Sequence, residues 1–189
     1  MTARTIVWQR TDLPGTEWCA LFVGEDAASV EGTVVLAADG APWRIEYLIT
    51  LDGAGRTRHL EIHGDGVTEG DGGPRRVDLF LEADGAGRWT RDGDVVIDDP
   101  KALDCDLGFS PATNTLPIRR LGLAIGERRD IAVAWVLFPS FEVVLGRQSY
   151  ERLTEWTWRY RSTGFEADLT VDKDGLVQDY YEWHAIGRG

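Results

Sequence analysis

Apolar and polar residues alternate along much of this chain. Trp43, Ile45, Tyr47, Ile49 and Leu51 occupy every second position, with Arg44, Glu46 and Thr50 between them. Successive side chains of a strand point to opposite faces, so this spacing predicts a strand with one dry and one wet face. Phe165, Ala167, Leu169 and Val171 repeat the pattern against Glu166, Asp168, Thr170 and Asp172. Trp156, Trp158 and Tyr160 repeat it against Thr157, Arg159 and Arg161. Residues 131–138, IAVAWVLF, are apolar at every position, which predicts a strand buried on both faces or lining an apolar cavity.

Turn signals separate these runs: Asp39-Gly40, Asp52-Gly53, Asp84-Gly85, Asp92-Gly93 and Asp174-Gly175. Asp-Gly between alternating segments is a strong short-range hairpin signal. The glycine-rich stretch 64–74, GDGVTEGDGGP, predicts a mobile loop within the domain. About ten to twelve strands follow from these signals, with few helical patterns. The expected fold is mainly β, a single antiparallel curled sheet forming a half barrel or open barrel. One or two short helices, or a loop, cover its cavity. Residues 1–189 make one such domain, and no fixed period supports a repeat.

Residues 110–122, SPATNTLPIRRLG, break the alternation. Thr113, Asn114 and Thr115 are helix-capping residues, and Pro117 is tolerated in a first helical turn. A helical turn or tight loop over 113–121 follows, with Leu116, Ile118, Leu121, Leu123 and Ile125 available to pack inward. Arg119 and Arg120 are adjacent and point apart. One of them can pair with Asp104 or Asp106, and a guanidinium fork binds carboxylate, phosphate or sugar hydroxyls equally well. The segment therefore reads either as a plug locked by an Arg–Asp pair or as a ligand site, with the plug favoured.

Composition narrows the functional classes. With 43% hydrophobic and 28% charged residues the chain is globular, and 189 residues suffice to bury a substantial core. A net charge of −12 repels phosphate backbones and anionic bilayers, which disfavours nucleic acid as a partner. No apolar run is long enough to span a membrane, and the N-terminus does not read as a signal peptide, so a cytoplasmic location is expected. Cys19 and Cys105 are expected to be buried thiols rather than a disulfide. The eight tryptophans suit either a thick core or an amphipathic pocket wall.

Catalytic motifs are incomplete. No nucleophile elbow, Walker loop, dinucleotide fingerprint or zinc-protease motif is present. His59, Glu61 and His63 lie at period two on one strand face, the spacing of a metal cluster but also of a solvated face, and the latter is preferred. Asp104 and Asp106 are acid–base candidates should the chain be an enzyme. His184 has no nucleophile beside it. Neither a cofactor nor a metal is expected.

The strings CDLGFSPATNTLPIRRLGLAIGE, AVAWVLFPSFEV, QSYERL and RYRSTGFEADLTVDKDGLVQDY, with VWQR, WRIEYLITLD and TRHLEI before them, resemble the bacterial putative glycolipid-binding protein family. The resemblance covers nearly the whole chain, and TNTLPIRRL is its most specific part. It implies a fold similar to the periplasmic lipoprotein carriers, a curved half barrel around an apolar cavity, and binding rather than catalysis. The implied ligand is a glycolipid or other amphiphilic small molecule held in a Trp-rich cavity. The alternatives are an interaction module with a filled core and a barrel-scaffold enzyme. Carried onto this chain, the matching positions proposed to bind ligand are Asp106, Thr113, Asn114, Thr115, Arg119, Arg120, Tyr150, Arg159 and Tyr160. Pro117, Asp172, Asp179 and Tyr180 also match. The exposed edges of an open half barrel leave room for a homodimer.

Overall fold

A computed structural model describes residues 2–38, 40–67 and 73–189. Among them, one sheet of fifteen strands curls into a nearly closed barrel, with one short helix. The first eight strands are β1 (Thr2–Arg10), β2 (Gly15–Val23), β3 (Ala27–Ala38), β4 (Ala41–Asp52), β5 (Thr57–Val67), β6 (Pro74–Ala83), β7 (Arg88–Arg91) and β8 (Asp94–Asp98). β9 (Ala102–Leu107) precedes a 3₁₀ turn (Ala112–Asn114) and helix α1 (Thr115–Leu121). The remainder are β10 (Arg128–Val136), β11 (Val143–Arg152), β12 (Thr157–Ser162), β13 (Phe165–Val171), β14 (Val177–Tyr180) and β15 (Trp183–Arg188).

The order is two meanders joined through β1 and β15: β8 to β1 in reverse, then β15 down to β9. Every neighbouring pair is antiparallel except β9 with β10, whose parallel pairing follows from the crossover through α1. The fifteen strands exceed the expected ten to twelve because β7, β8 and β14 have only four or five residues, too few for alternation to register. The 64–74 stretch is not all loop. Gly64–Val67 continue β5 and pair with β6, which begins at Pro74, and 68–72 lie outside the described residues. Asp39 of the first Asp-Gly signal also lies outside them.

The alternation translates directly into burial. Trp43, Ile45, Tyr47, Ile49 and Leu51 face the core, as do Leu60, Ile62, Leu79 and Leu81 from the next two strands. Trp8, Trp43, Trp89, Trp158 and Trp183 are core residues, packed among the buried aliphatics of the barrel. Trp89 also closes the seam, its indole N–H donating to the Ala102 carbonyl at 2.7 Å and tying β7 to β9. Both cysteines are buried and free. Two inward expectations fail. Trp156 precedes β12 and Ile125 lies in the turn after α1, and both are exposed because neither sits on an element that packs.

Candidate functional site

Segment 110–121 forms the predicted helical element, but its polar residues do not cap it. Asn114 makes no side-chain cap to α1. Its amide donates to the Pro111 carbonyl at 3.2 Å, and its Oδ1 accepts the Tyr150 hydroxyl at 2.8 Å. Thr113 accepts the Leu107 N–H and donates to Asp106 Oδ1 at 3.0 Å. Asp106 Oδ2 accepts the Gln148 amide. The segment is therefore stitched to β9 and β11 by side chains, not merely packed on them. Thr115 is fully buried, and its hydroxyl has no partner among the described residues.

The two arginines separate as their adjacency predicts. Arg120 forks onto Asp104, Nε to Oδ1 at 3.0 Å and Nη2 to Oδ2 at 2.5 Å, with Asp104 fully buried. Such a bidentate pair fixes geometry, and Arg120 thus plays the plug's part. Arg119 instead donates to the Asp174 carbonyl at 2.5 Å, tying α1 to the β13–β14 turn. Both line a cleft of about 250 Å³ with Leu116, Val23 and Leu51, away from Asp106. Arg159 lies on the outer face, forked onto Asp168 at 2.6 and 2.9 Å.

Asp106, Asn114 and Tyr160 do come together. They line a cleft of about 350 Å³ with Ser110, Trp135 and Phe165. Thr113 and Tyr150 stand behind them, bonded to Asp106 and Asn114. Aromatic rings run across this region: Tyr150 to Tyr160 at 5.4 Å between centroids, Tyr160 to Tyr180 at 6.0 Å, and Phe165 to Tyr181 at 5.2 Å. Perpendicular pairs of this kind gain from the ring quadrupole. Burial pushes the Asp106 carboxyl above its usual range, against the pull of Gln148 and Thr113.

The far wall is the β14–β15 hairpin, which pattern reading missed. Tyr180 pairs with Trp183 across a two-residue loop, Tyr181-Glu182, and all four residues line the cleft. Tyr181 has φ 52°, a left-handed conformation that is rare and costly for a bulky residue. Arg10 closes the rim. Its guanidinium lies 5.2 Å from the Trp183 ring centroid and pairs with Glu182 at 2.6 Å and Asp12 at 2.5 Å.

Behind Ser110 sits a second residue that the sequence reading passed over. The Ser110 hydroxyl donates to Glu17 Oε1 at 2.7 Å, and Tyr47 donates to the same oxygen at 2.5 Å. Gly32 makes this possible, since a Cβ there would stand 2.4 Å from the Tyr47 hydroxyl. Glu17 is fully buried, and its Oε2 has no partner among the described residues. Burial pushes its carboxyl up to about 8. The signal was present in TEWC, where Glu17 is in phase with Cys19 and Leu21 while Trp18 is out of phase.

On the outer face, His63 Nδ1 meets Asp78 Oδ1 at 2.6 Å and Nε2 meets Glu61 Oε1 at 2.7 Å. These bonds raise the imidazole pKa and commit both ring nitrogens. Among the described residues, no group of three His, Cys, Asp or Glu is placed to hold a metal ion. None of their helices is long and apolar enough to cross a membrane.

A family model described as "Putative glycolipid-binding" matches residues 5–185. The chain is similar to the crystal structure of a DUF1089-family protein from Pseudomonas aeruginosa, at 34% identity, TM-score 0.74, and 92% coverage of each chain. It also shares its fold with a β-barrel-like protein of domain DUF1849 from Brucella abortus, at 8% identity, TM-score 0.50, and 98% coverage of each chain. Among curated proteins there is no match.

Proposed function

The chain belongs to the family described as "Putative glycolipid-binding", whose model matches residues 5–185, and from that premise we propose that it binds the head group of a glycolipid or related amphiphile in the aromatic cleft beside Asp106. The observation that carries this reading is the Tyr181 turn. A strained left-handed tyrosine persists where surrounding structure or function holds it, and this one places four consecutive residues on the cleft wall.

The chemistry of the lining suits such a ligand. Tyrosine and tryptophan rings offer broad apolar contact to a sugar ring or alkyl stem, while Asp106, Asn114 and Ser110 offer hydrogen bonds that fix orientation. A volume of about 350 Å³ is at the small end of ligand pockets. It suits a head group and the first carbons of a chain, not a whole acyl tail. The barrel core supports the same boundary, since Trp8, Trp43, Trp89 and Trp158 are buried there among aliphatic side chains. In this reading Asp104 and Arg120 hold the fold, and Asp106 meets the ligand.

The test is recovery of ligand. Protein purified without detergent is sprayed from volatile buffer for native mass spectrometry, then titrated with octyl glucoside while tryptophan fluorescence is followed. A bound amphiphile mass, or a saturable spectral change that Tyr160→Ala weakens, supports the reading. Apo mass alone together with a flat titration contradicts it.

A further inference from the structure

The charges around the cleft do not balance. Asp106 accepts only from neutral donors, the Thr113 hydroxyl and the Gln148 amide, and no cationic side chain pairs with it among the described residues. Arg10 at the rim is shared by two carboxylates, Asp12 and Glu182. The local inventory is thus three acids and one base, in a chain already at −12. A partly desolvated carboxylate without a countercharge is an expensive arrangement, relieved when a cation arrives. Rings bordering the same space, Tyr160, Tyr180, Tyr181 and Trp183, supply the π surface that attracts alkylammonium groups. Arg119 and Arg120, candidate head-group contacts in the sequence, line a different cleft and are engaged by the Asp174 carbonyl and Asp104.

From this geometry we infer that the ligand's head group carries a positively charged nitrogen, a protonated amine or quaternary ammonium, seated between Asp106 and the tyrosines. This deepens the head-group reading above and rests on it. An amino sugar and a simple alkylammonium share the required chemistry. Anionic head groups are disfavoured by the same charges.

Three amphiphiles of equal tail length separate the possibilities. Octyltrimethylammonium, octyl glucoside and octyl sulfate are titrated below their micelle concentrations, at fixed ionic strength, with tryptophan fluorescence as readout. The cationic probe is expected to bind at least about tenfold tighter than the sulfate, and Asp106→Asn to cost it about tenfold while changing octyl glucoside less than threefold, since charge-assisted contacts are worth about that factor. Glu182→Gln, at the rim, is expected to weaken the cation about threefold more than it weakens the glucoside. It covers the case in which Asp106→Asn fails to fold. Octyl glucoside binding as tightly as the cation, with both variants indifferent, overturns the charge inference and leaves the binding reading standing. Failure of all three probes overturns both.

Discussion

Two hairpins with the same loop length separate the halves of this molecule. Asp92-Gly93 joins β7 to β8, and Tyr181-Glu182 joins β14 to β15. The first uses the expected chemistry. Asp92 and Gly93 have φ 53° and 88°, conformations tolerated by the short polar residue and free to glycine. The second forces a tyrosine to φ 52°. Burial divides the same way. Among the described residues, Glu17 and Thr57 are the buried polar side chains of β1 to β8, whereas Asp104, Ser110, Thr113, Asn114, Gln148 and others crowd the second half. The first half satisfies local rules and stabilises. The second breaks them around a cleft, the pattern expected where structure serves binding.

Glu17 is the exception in the stable half, and it gives the largest expected effect. Its carboxyl rises from 4.5 to about 8 on folding. Below the lower value both states hold the proton. Between the two the folded chain keeps a proton that the unfolded chain has released, so stability falls as pH rises and levels off above the upper value. At about 1.4 kcal/mol per unit the loss is on the order of 5 kcal/mol. Urea unfolding from pH 5 to 9 is expected to show this decline, and Glu17→Gln to flatten it. A wild-type profile without slope removes Glu17 from the account.

Next comes the core. Trp89→Ala, at a fully buried site with a seam hydrogen bond, is expected to cost about 3–5 kcal/mol. Its effect on octyl glucoside affinity, measured well below the new midpoint, is expected to be under twofold. A large affinity loss there contradicts the division of labour.

Smallest in energy, and most telling, is Tyr181→Gly. Relief of the left-handed strain outweighs glycine's entropy, for a gain of about 0.5–1 kcal/mol, while loss of the ring weakens binding severalfold. Thermal melts and titrations on the same sample check the opposed signs. Both quantities falling together makes Tyr181 a structural residue.

How much of this was legible in advance follows from the same division. The strands from Trp43 to Leu51 and from Phe165 to Val171 were readable because alternation maps directly onto a two-faced sheet. The inward turn of segment 110–121 was readable from its aliphatics, and the Arg120–Asp104 pair was among the partners its charges allowed. The cleft was legible only in pieces. Asp106, Asn114 and Tyr160 were named through family likeness, but Trp135, Glu182 and Arg10 reach the same space from two strands and a hairpin loop distant in sequence. No local pattern carries that convergence. Tyr181 carries no signal at all, since a tyrosine in a two-residue loop is what turn chemistry advises against.

The eight tryptophans provide the most direct test of the central claim, that the cleft in the second half is the binding site. Trp135 and Trp183 line it, Trp8 and Trp89 are buried with indole N–H groups bonded to Val177 and Ala102 carbonyls, and Trp18 and Trp156 are exposed elsewhere. Indole N–H resonances of ¹⁵N-labelled protein are followed during titration with octyl glucoside, each assigned by Trp→Phe substitution. The account predicts saturable shifts at Trp135 and Trp183 with Trp8, Trp89, Trp18 and Trp156 unmoved. Shifts confined to Trp18 and Trp156, or to the core pair, would contradict it.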